Sequence, residues 1–409
     1  MSIAPTTRLA IVLSHPTQYY SPWFRWLAQH ERLALRVFYL WEFGISPARD
    51  PKFQVSFRWD TDLLSGYDFE FVPNTARDPG THHFGGLRNP TLRQRLAAWN
   101  PDAILLFGYK WASHLRAIAW ARRRGVPLLL RGDSHFLGRN RLPLLQRTLL
   151  RLLFRQFSAF LPVGAANRDY YSALDVPSHR LFFAPHAVDH TLFDPQRSEH
   201  QAAAALLRRQ LDLDPAHLVV LFAGKFVAEK QPGELLAAFL DLSPPDASLV
   251  FVGDGPERPT LVAAARTAAT QRVHFLPFAN QSEMPARFLL ANLFVLPSRG
   301  LYETWGLAVN EAMHMGRPAL VSDRVGCQRD LVEPGATGWM FQHDNPADLR
   351  TQLGAALASL RRADEAAALR GRVLARISGY TYAQAAVGLR AALIHVQTRA
   401  TNEPGTKAS

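Results

Sequence analysis

The sequence predicts an α/β protein built from two Rossmann-like, doubly wound domains that face each other across a cleft. Three observations lead there. The chain has 409 residues, and single hydrophobic cores stop growing near about 250–300 residues, so two cores are expected. Short continuous apolar runs alternate with longer amphipathic stretches, the pattern of a parallel sheet covered on both faces. The loops richest in chemistry follow the ends of such runs, where open α/β sheets hold their ligands.

Taken in order, strands are expected in the first half at residues 9–13, 35–40, 103–107, 127–130 and 159–163. Helices are expected at 22–29, 92–99 and 142–157, where apolar and polar residues recur with helical spacing. Ala184-Pro185-His186-Ala187-Val188-Asp189-His190, with Pro195 behind it, reads as an irregular connection. A helix at 206–211 then leads into strands at 218–222, 248–252, 273–276, 293–296 and 319–322, and a late helix spans 380–394. The expected partition is a domain over residues 1–190, a second over 191–378, a helix over 379–399 and a flexible polar tail over 400–409. No sequence repeat relates the two halves.

Composition narrows the class. The chain is 48% hydrophobic and 20% charged, which excludes a disordered chain, a collagen and a coiled coil. A single cysteine, Cys327, excludes an internal disulfide framework and a Cys-rich zinc site and fits a reducing compartment. No apolar run approaches the ~20 residues that cross a bilayer, and the amino-terminal apolar run reads as a first buried strand and not as a signal peptide. Net charge is +12, with basic residues clustered at 116–124, 139–155 and 361–376. Such a surface suits an anionic small substrate, an anionic membrane face or nucleic acid. No zinc-finger spacing or RNP-type aromatic motif accompanies it, so nucleic acid is not expected as a partner.

Three strand-end loops carry candidate chemistry. After the strand ending at Leu296, the segment from Pro297-Ser298-Arg299 through Glu303-Thr304-Trp305-Gly306-Leu307 runs into a helix holding Glu311. A glycine at a helix start exposes backbone N–H groups to a phosphate, and the helix dipole adds positive potential there. Glu303 precedes those donors. Glu311 lies on an otherwise apolar helix, where a carboxylate needs hydroxyl or cationic partners. After residue 222, Gly224 allows a sharp turn, and Lys225 and Lys230 place two ammonium groups on one short loop, an awkward pairing without an anion such as a diphosphate between them. Gly253-Asp254-Gly255-Pro256 is a third strand-end turn, ordinary in itself. Asp60-Thr61-Asp62 has the form of a metal-binding pair but reads as a turn or helix start. No His or Cys cluster with ligand spacing appears, so no metal and no other cofactor is expected.

Together these stretches resemble the retaining nucleotide-sugar glycosyltransferases of family 4, which have the GT-B fold and carry a Glu, seven residues, Glu motif. Glu303 and Glu311 keep that spacing, inside Leu296-Pro297-Ser298, Glu303-Thr304-Trp305-Gly306-Leu307 and Glu311-Ala312-Met313-His314-Met315-Gly316-Arg317-Pro318. Ser322-Asp323-Arg324-Val325-Gly326-Cys327 matches after it. The resemblance covers most of residues 180 to 345. In the first half, His15-Pro16-Thr17-Gln18-Tyr19-Tyr20-Ser21-Pro22, Trp59-Asp60-Thr61-Asp62-Leu63-Leu64-Ser65-Gly66-Tyr67 and Leu130-Arg131-Gly132-Asp133-Ser134 look like one branch of the family.

The resemblance implies roles. The second domain would bind the nucleotide diphosphate sugar and the first the acceptor, with the carboxyl-terminal helix returning to the first domain. Glu311 would hold the ribose hydroxyls and Glu303 the transferred sugar. The backbone of Trp305, Gly306 and Leu307 would approach sugar and phosphate. Lys225 and Lys230, beside Gly224, would grip the diphosphate. Most members have Arg where Lys225 stands, and Lys keeps the charge without the bidentate fork. Many members have a glycine-rich loop where this chain reads His15-Pro16-Thr17-Gln18, so a side-chain contact from His15 or Gln18 would substitute. Many place a His where spacing from Pro127 puts Asp133. Asp133 is the favoured catalytic group, with His135 as the alternative. Base contacts near Pro277 and Phe278 would be largely backbone. The implied activity is metal-independent, retaining transfer to a hydroxyl of a glycan or lipid-linked acceptor, in cell-envelope or polysaccharide biosynthesis. The expected location is cytoplasmic, with peripheral docking on an anionic inner-membrane face. The rivals are a nucleotide-sugar 2-epimerase of the same fold and a non-catalytic protein that binds nucleotide sugar or nucleic acid.

Overall fold

The computed structural model describes residues 6–45, 48–49, 56–57, 59–138, 142–299 and 303–402. The first domain holds β1 (Thr7–Leu13), β2 (Leu33–Tyr39), a two-residue antiparallel pair β3 (Ala48–Arg49) and β4 (Ser56–Phe57), β5 (Asp68–Phe71), β6 (Ala103–Phe107), β7 (Leu128–Gly132) and β8 (Ala159–Pro162). Its helices are α1 (Tyr20–His30), α2 (Leu92–Trp99), α3 (Ala112–Arg124), α4 (Leu144–Phe154) and α5 (Ala165–Ala173). Six strands form one parallel sheet in the order β5-β2-β1-β6-β7-β8. The order reverses between β1 and β6, so the loops after those strands part and leave a crevice at their carboxyl ends.

The second domain repeats the plan. Its strands are β9 (Leu218–Ala223), β10 (Ala247–Val252), β11 (Val273–Leu276), β12 (Leu293–Leu296), β13 (Ala319–Ser322) and β14 (Gly338–Phe341). They form a parallel sheet in the order β11-β10-β9-β12-β13-β14. The helices are α6 (Ser198–Gln210), α7 (Pro232–Leu242), α8 (Arg258–Thr267), α9 (Met284–Leu290), α10 (Leu307–His314), α11 (Gln328–Leu331), α12 (Pro346–Leu360) and α13 (Ala363–Ile377), and α14 (Tyr382–Asn402) follows and crosses back to the first domain. The expectation of two doubly wound α/β domains therefore holds.

Side-chain alternation explains why the sheets are buried on both sides. Leu9, Ile11 and Leu13 of β1 join one cluster, with α1 and α14, while Ala10 and Val12 join another, with α2 and α3. Every residue of β6 and β10 is buried. Besides the short β3–β4 pair, the strands that sequence reading passed over, β5 and β14, are both edge strands of four residues, and β5, Asp-Phe-Glu-Phe, is partly exposed. Edge position removes the demand for a continuous apolar run. Helix α6 starts eight residues before the expected 206, because the alanine run 202–205 extends the helix toward Ser198.

Helix α14 packs through Tyr382, Ala385, Ala386, Leu389, Ala392 and Leu393 into the same cluster as β1 and α1 of the first sheet. Gly388 makes that approach possible, since a Cβ there would stand 2.0 Å from the Phe183 carbonyl oxygen. The helix runs on to Asn402, which corrects the expected tail at residues 400–402; residues 403–409 lie outside the described residues.

Polar contacts join the domains at the back of the cleft and at its mouth, besides the Thr304–Asp133 bond within it. At the back of the cleft the Asp330 carboxylate accepts from the Ala165 N–H at 3.1 and 3.0 Å, capping α5 from across the boundary, and Arg329 pairs with Asp169. At the mouth, Asp60 accepts from the Ser282 N–H at 3.2 Å and donates its own N–H to Asn280 Oδ1 at 3.3 Å. The two ends of Asp60-Thr61-Asp62 thus do different work. Asp62 accepts from the Leu64 and Ser65 amides and forms a turn, while Asp60 reaches the other domain.

Candidate active site

Between the carboxyl ends of the two sheets lies a cavity of about 470 Å³. All the site residues expected from sequence line it except His135: Gly224, Lys225, Lys230, Glu303, Trp305, Gly306, Leu307 and Glu311 from the second domain, and His15, Gln18 and Asp133 from the first. Trp59 and Phe278 line it from opposite domains, with ring centroids 6.4 Å apart.

The loop after β12 is held at several points. The Arg299 N–H donates to the Glu229 carbonyl at 2.8 Å, and the Ser322 hydroxyl donates to the Ser298 carbonyl. Glu303, whose side chain is only 12% exposed, accepts from the Ser298 hydroxyl at 2.9 Å and pairs with the Lys230 ammonium on the same carboxylate oxygen. Sequence reading placed an external anion between Lys225 and Lys230. In the structure Glu303 itself is the counter-charge of Lys230. The loop that carries Lys225 is set by the third glycine turn, because the Phe226 N–H donates to the Asp254 carbonyl at 2.9 Å.

Gly306 takes φ of +102°, and a Cβ there would stand 2.9 Å from Val325 Cγ1. Only glycine suits that backbone. Helix α10 starts at the next residue with no side-chain cap, so its first-turn amides and dipole present positive potential to the cavity. The Trp305 indole packs beside the connector between the domains. It is buried, donates from Nε1 to Asn310 Oδ1 at 2.7 Å and lies 5.5 Å from the His186 ring. Asn310 in turn donates to the His186 carbonyl at 3.1 Å. The side chain therefore braces the connection between the domains.

Glu311 lies one turn inside α10 and is 3% exposed. Its Oε1 accepts from Gln281 Nε2 at 3.0 Å, and Tyr19 also bonds it. Burial pushes its pKa up to about 7, against the pull of those two bonds. The Tyr19 hydroxyl is pushed well above its ordinary value by burial and by Glu311.

Asp133 follows β7. Its Oδ2 accepts from the Thr304 hydroxyl at 2.8 Å and stands 3.6 Å from His186 Nε2. Burial raises the carboxyl, but His186 and Thr304 outweigh it and hold Asp133 below the usual range. Burial, with the Arg131 charge, pushes His186 down. Arg131 is itself buried and donates to the Ala184 and Pro185 carbonyls at 2.6 and 3.1 Å, which ties β7 to the connector carrying His186. His15 contacts Ser14 Oγ through Nδ1 at 3.0 Å, and burial pushes its pKa down to about 4, so it meets a ligand as a neutral ring.

His135 is buried in a neighbouring cavity of about 310 Å³, where its Nδ1 accepts from the Leu137 N–H at 3.1 Å. Of the two alternatives, Asp133 is the one that faces the cleft. Sequence reading missed Tyr19, Gln281, His186 and Thr304 as functional contacts. Tyr19 and Gln281 meet Glu311 from distant loops, and Thr304 meets Asp133 across 171 residues. No local spacing signals such pairs.

The arrangement suits a polyanionic, hydroxyl-rich ligand. Two ammonium groups and a helix amide end meet negative charge, and three carboxyl groups meet hydroxyls. Among the described residues, the one group with metal-ligand spacing is Asp78, His82 and His83, which is exposed and does not line the cavity.

Residues 204–368 match the family model described as glycosyl transferases group 1. A D-inositol 3-phosphate glycosyltransferase of Salinispora tropica is 31% identical over 198 residues, covering 46% of this chain and 40% of that protein. A GDP-mannose-dependent α-(1-6)-phosphatidylinositol monomannoside mannosyltransferase of Mycolicibacterium smegmatis is 29% identical over 252 residues, covering 59% and 64%. The chain spans about half the length of the curated relatives it matches. Anabaena HepE, solved with UDP and glucose, superposes with a TM-score of 0.69 at 16% identity, over 97% of this chain and all of that one. The fold is GT-B.

Proposed function

We propose that this chain is a glycosyltransferase that moves a sugar from a nucleoside diphosphate sugar to an acceptor hydroxyl, with retention at the anomeric carbon. The observation that carries the reading is convergence. Lys225, Lys230 and the open amide end of α10 meet Glu303, Glu311 and Asp133 in one cavity between two domains. The relatives are named for glycosyl transfer to inositol phosphate and to a phosphatidylinositol mannoside, and a structural neighbour holds UDP and glucose. They support a nucleotide-sugar donor and an alcohol acceptor.

In this reading the diphosphate lies against the α10 amides and Lys225. Lys230 swings from Glu303 to the leaving phosphate, and Glu303 is released to the sugar hydroxyls. Glu311 accepts from the ribose diol. The bond from the anomeric carbon to the phosphate oxygen breaks, and a bond from the acceptor oxygen forms on the same face. The acceptor proton passes to the departing phosphate. Asp133, ionised beside neutral His186, faces the positive charge that develops on the sugar ring. The lysines and the helix end supply the positive charge the diphosphate needs, so the reaction is assigned no metal.

The test is thermal stabilisation by a panel of UDP-, GDP- and ADP-sugars. A ligand at a hundred times its Kd should stabilise by about 2.7 kcal/mol. Lys225→Ala should weaken the best ligand by about 10- to 100-fold, the worth of a charge-assisted bond. Product NMR should then show the donor's anomeric configuration. No stabilisation by any nucleotide sugar would end the proposal, and an inverted product would end the claim of retention. Conversion of donor alone into an isomer would favour a 2-epimerase.

A further inference from the structure

Helix α4 is out of keeping with the rest of the surface. Its Leu150, Leu153 and Phe154 pack on the first domain's core. Its outer face carries Leu144, Leu145, Leu149 and Leu152, which are 78%, 73%, 56% and 49% exposed. Leu145, Leu149 and Leu152 follow helical spacing, so they form one stripe along the helix. No other helix shows more than two exposed large apolar side chains among the described residues.

The charge around this stripe is one-sided. Residues 103–168 contain twelve basic residues and one acidic residue, Asp133, which points into the cleft. Eleven of the chain's twelve net positive charges therefore come from this stretch. Arg116, Arg122, Arg123 and Arg124 on α3, and Arg147 and Arg155 at α4, are exposed. Arg151 pairs with Asp175 at 2.8 Å.

We propose that α4 docks this protein on an anionic lipid bilayer, with its leucines among the acyl chains and the surrounding arginines at the headgroups. An apolar stripe with flanking cations matches an anionic interface on both counts. Nucleic acid would use the arginines and leave the leucines in water.

The position of α4 gives the docking a purpose. Gln146 and Leu150 of α4, with Leu142 before it, line the cavity that holds His135. Thr304 lines both that cavity and the cleft, and it donates to Asp133. The head of a membrane-resident acceptor entering under α4 would lie one side chain from Asp133. This step rests on the glycosyl-transfer reading; the docking itself does not.

The test is flotation of the full chain with vesicles of phosphatidylcholine, with and without phosphatidylglycerol, at low and high salt. The protein should float with the anionic vesicles and bind neutral ones far more weakly. A triple variant Leu144→Ser, Leu145→Ser, Leu149→Ser should bind anionic vesicles about tenfold or more weakly. It should keep the parent's stabilisation by nucleotide sugar, which shows that it folds and that the donor site stands apart. Absence of the parent from anionic vesicles overturns the proposal. So does binding that the serines leave intact and salt or duplex DNA abolishes, which would mark a nucleic-acid surface. A parent that forms a dimer, dissolved by the serines, without floating would mark a contact between two copies. Loss of nucleotide-sugar stabilisation in the parent with flotation retained would sink the functional reading and leave the docking surface standing.

Discussion

Glu311 is a carboxyl kept almost dry, and its chemistry should be visible in pH dependence. Its pKa rises from 4.5 to about 7 on folding, because burial disfavours the charged form. A group raised in this way gives its full stability below 4.5 and loses it as pH rises through 7. The rise is worth up to about 3 kcal/mol. Glu311→Gln cannot ionise, so its Tm relative to the parent should climb between about pH 5 and pH 8; parallel melting curves would refute the assignment. Donor binding runs the other way if the carboxylate accepts the ribose hydroxyls. Affinity should fall as pH drops below about 7, by up to about tenfold per pH unit, and isothermal titration of Glu311→Gln should show a flat profile. For Asp133→Asn the expectation differs. The side chain keeps its shape and loses its charge, so kcat should drop by about 10²-fold or more with donor Kd nearly unchanged. An equal loss in both would make Asp133 a binding residue.

At the scale of an element, α10 carries the site because a glycine precedes it. Gly306→Ala meets both a positive φ and the Val325 methyl at 2.9 Å. It should cost about 1–3 kcal/mol in urea unfolding and weaken the donor, since the first-turn amides would shift. A variant as stable as the parent would show that the turn is not constrained. Strands show why an edge such as β5 can escape sequence reading when no central strand of either six-stranded sheet does. Strand β12, Leu-Phe-Val-Leu, must be apolar throughout because helices cover both its faces. Strand β5 lies at an edge and tolerates Asp68 and Glu70.

For the whole molecule, the relative position of the domains depends on contacts at both ends of the cleft. Asp330 caps α5 at the back, and Asp60 meets Ser282 and Asn280 at the mouth. The mouth contact is exposed and is worth only about 1 kcal/mol. Asp60→Ala should therefore leave Tm near that of the parent and open the cleft. The ratio of donor hydrolysis to transfer should rise, because closure is what excludes water. An unchanged ratio, with unchanged small-angle scattering, would mean that Asp60 does not hold the domains together.

The amino-acid sequence by itself determined the alternation of buried strands and helices, the two cores, and the residues that each strand-end loop offers. All of these are local: a strand or helix period, a glycine before a helix, or two lysines on one loop can be read within about a dozen positions. Only the tertiary structure decided who faces whom. It set Lys230 on Glu303, Thr304 on Asp133, Tyr19 and Gln281 on Glu311, and Asp133 instead of His135 toward the cleft. Those pairs join residues tens to hundreds of positions apart, and they are fixed by strand order within the second sheet and by how the two domains face each other, which leaves no period in the chain.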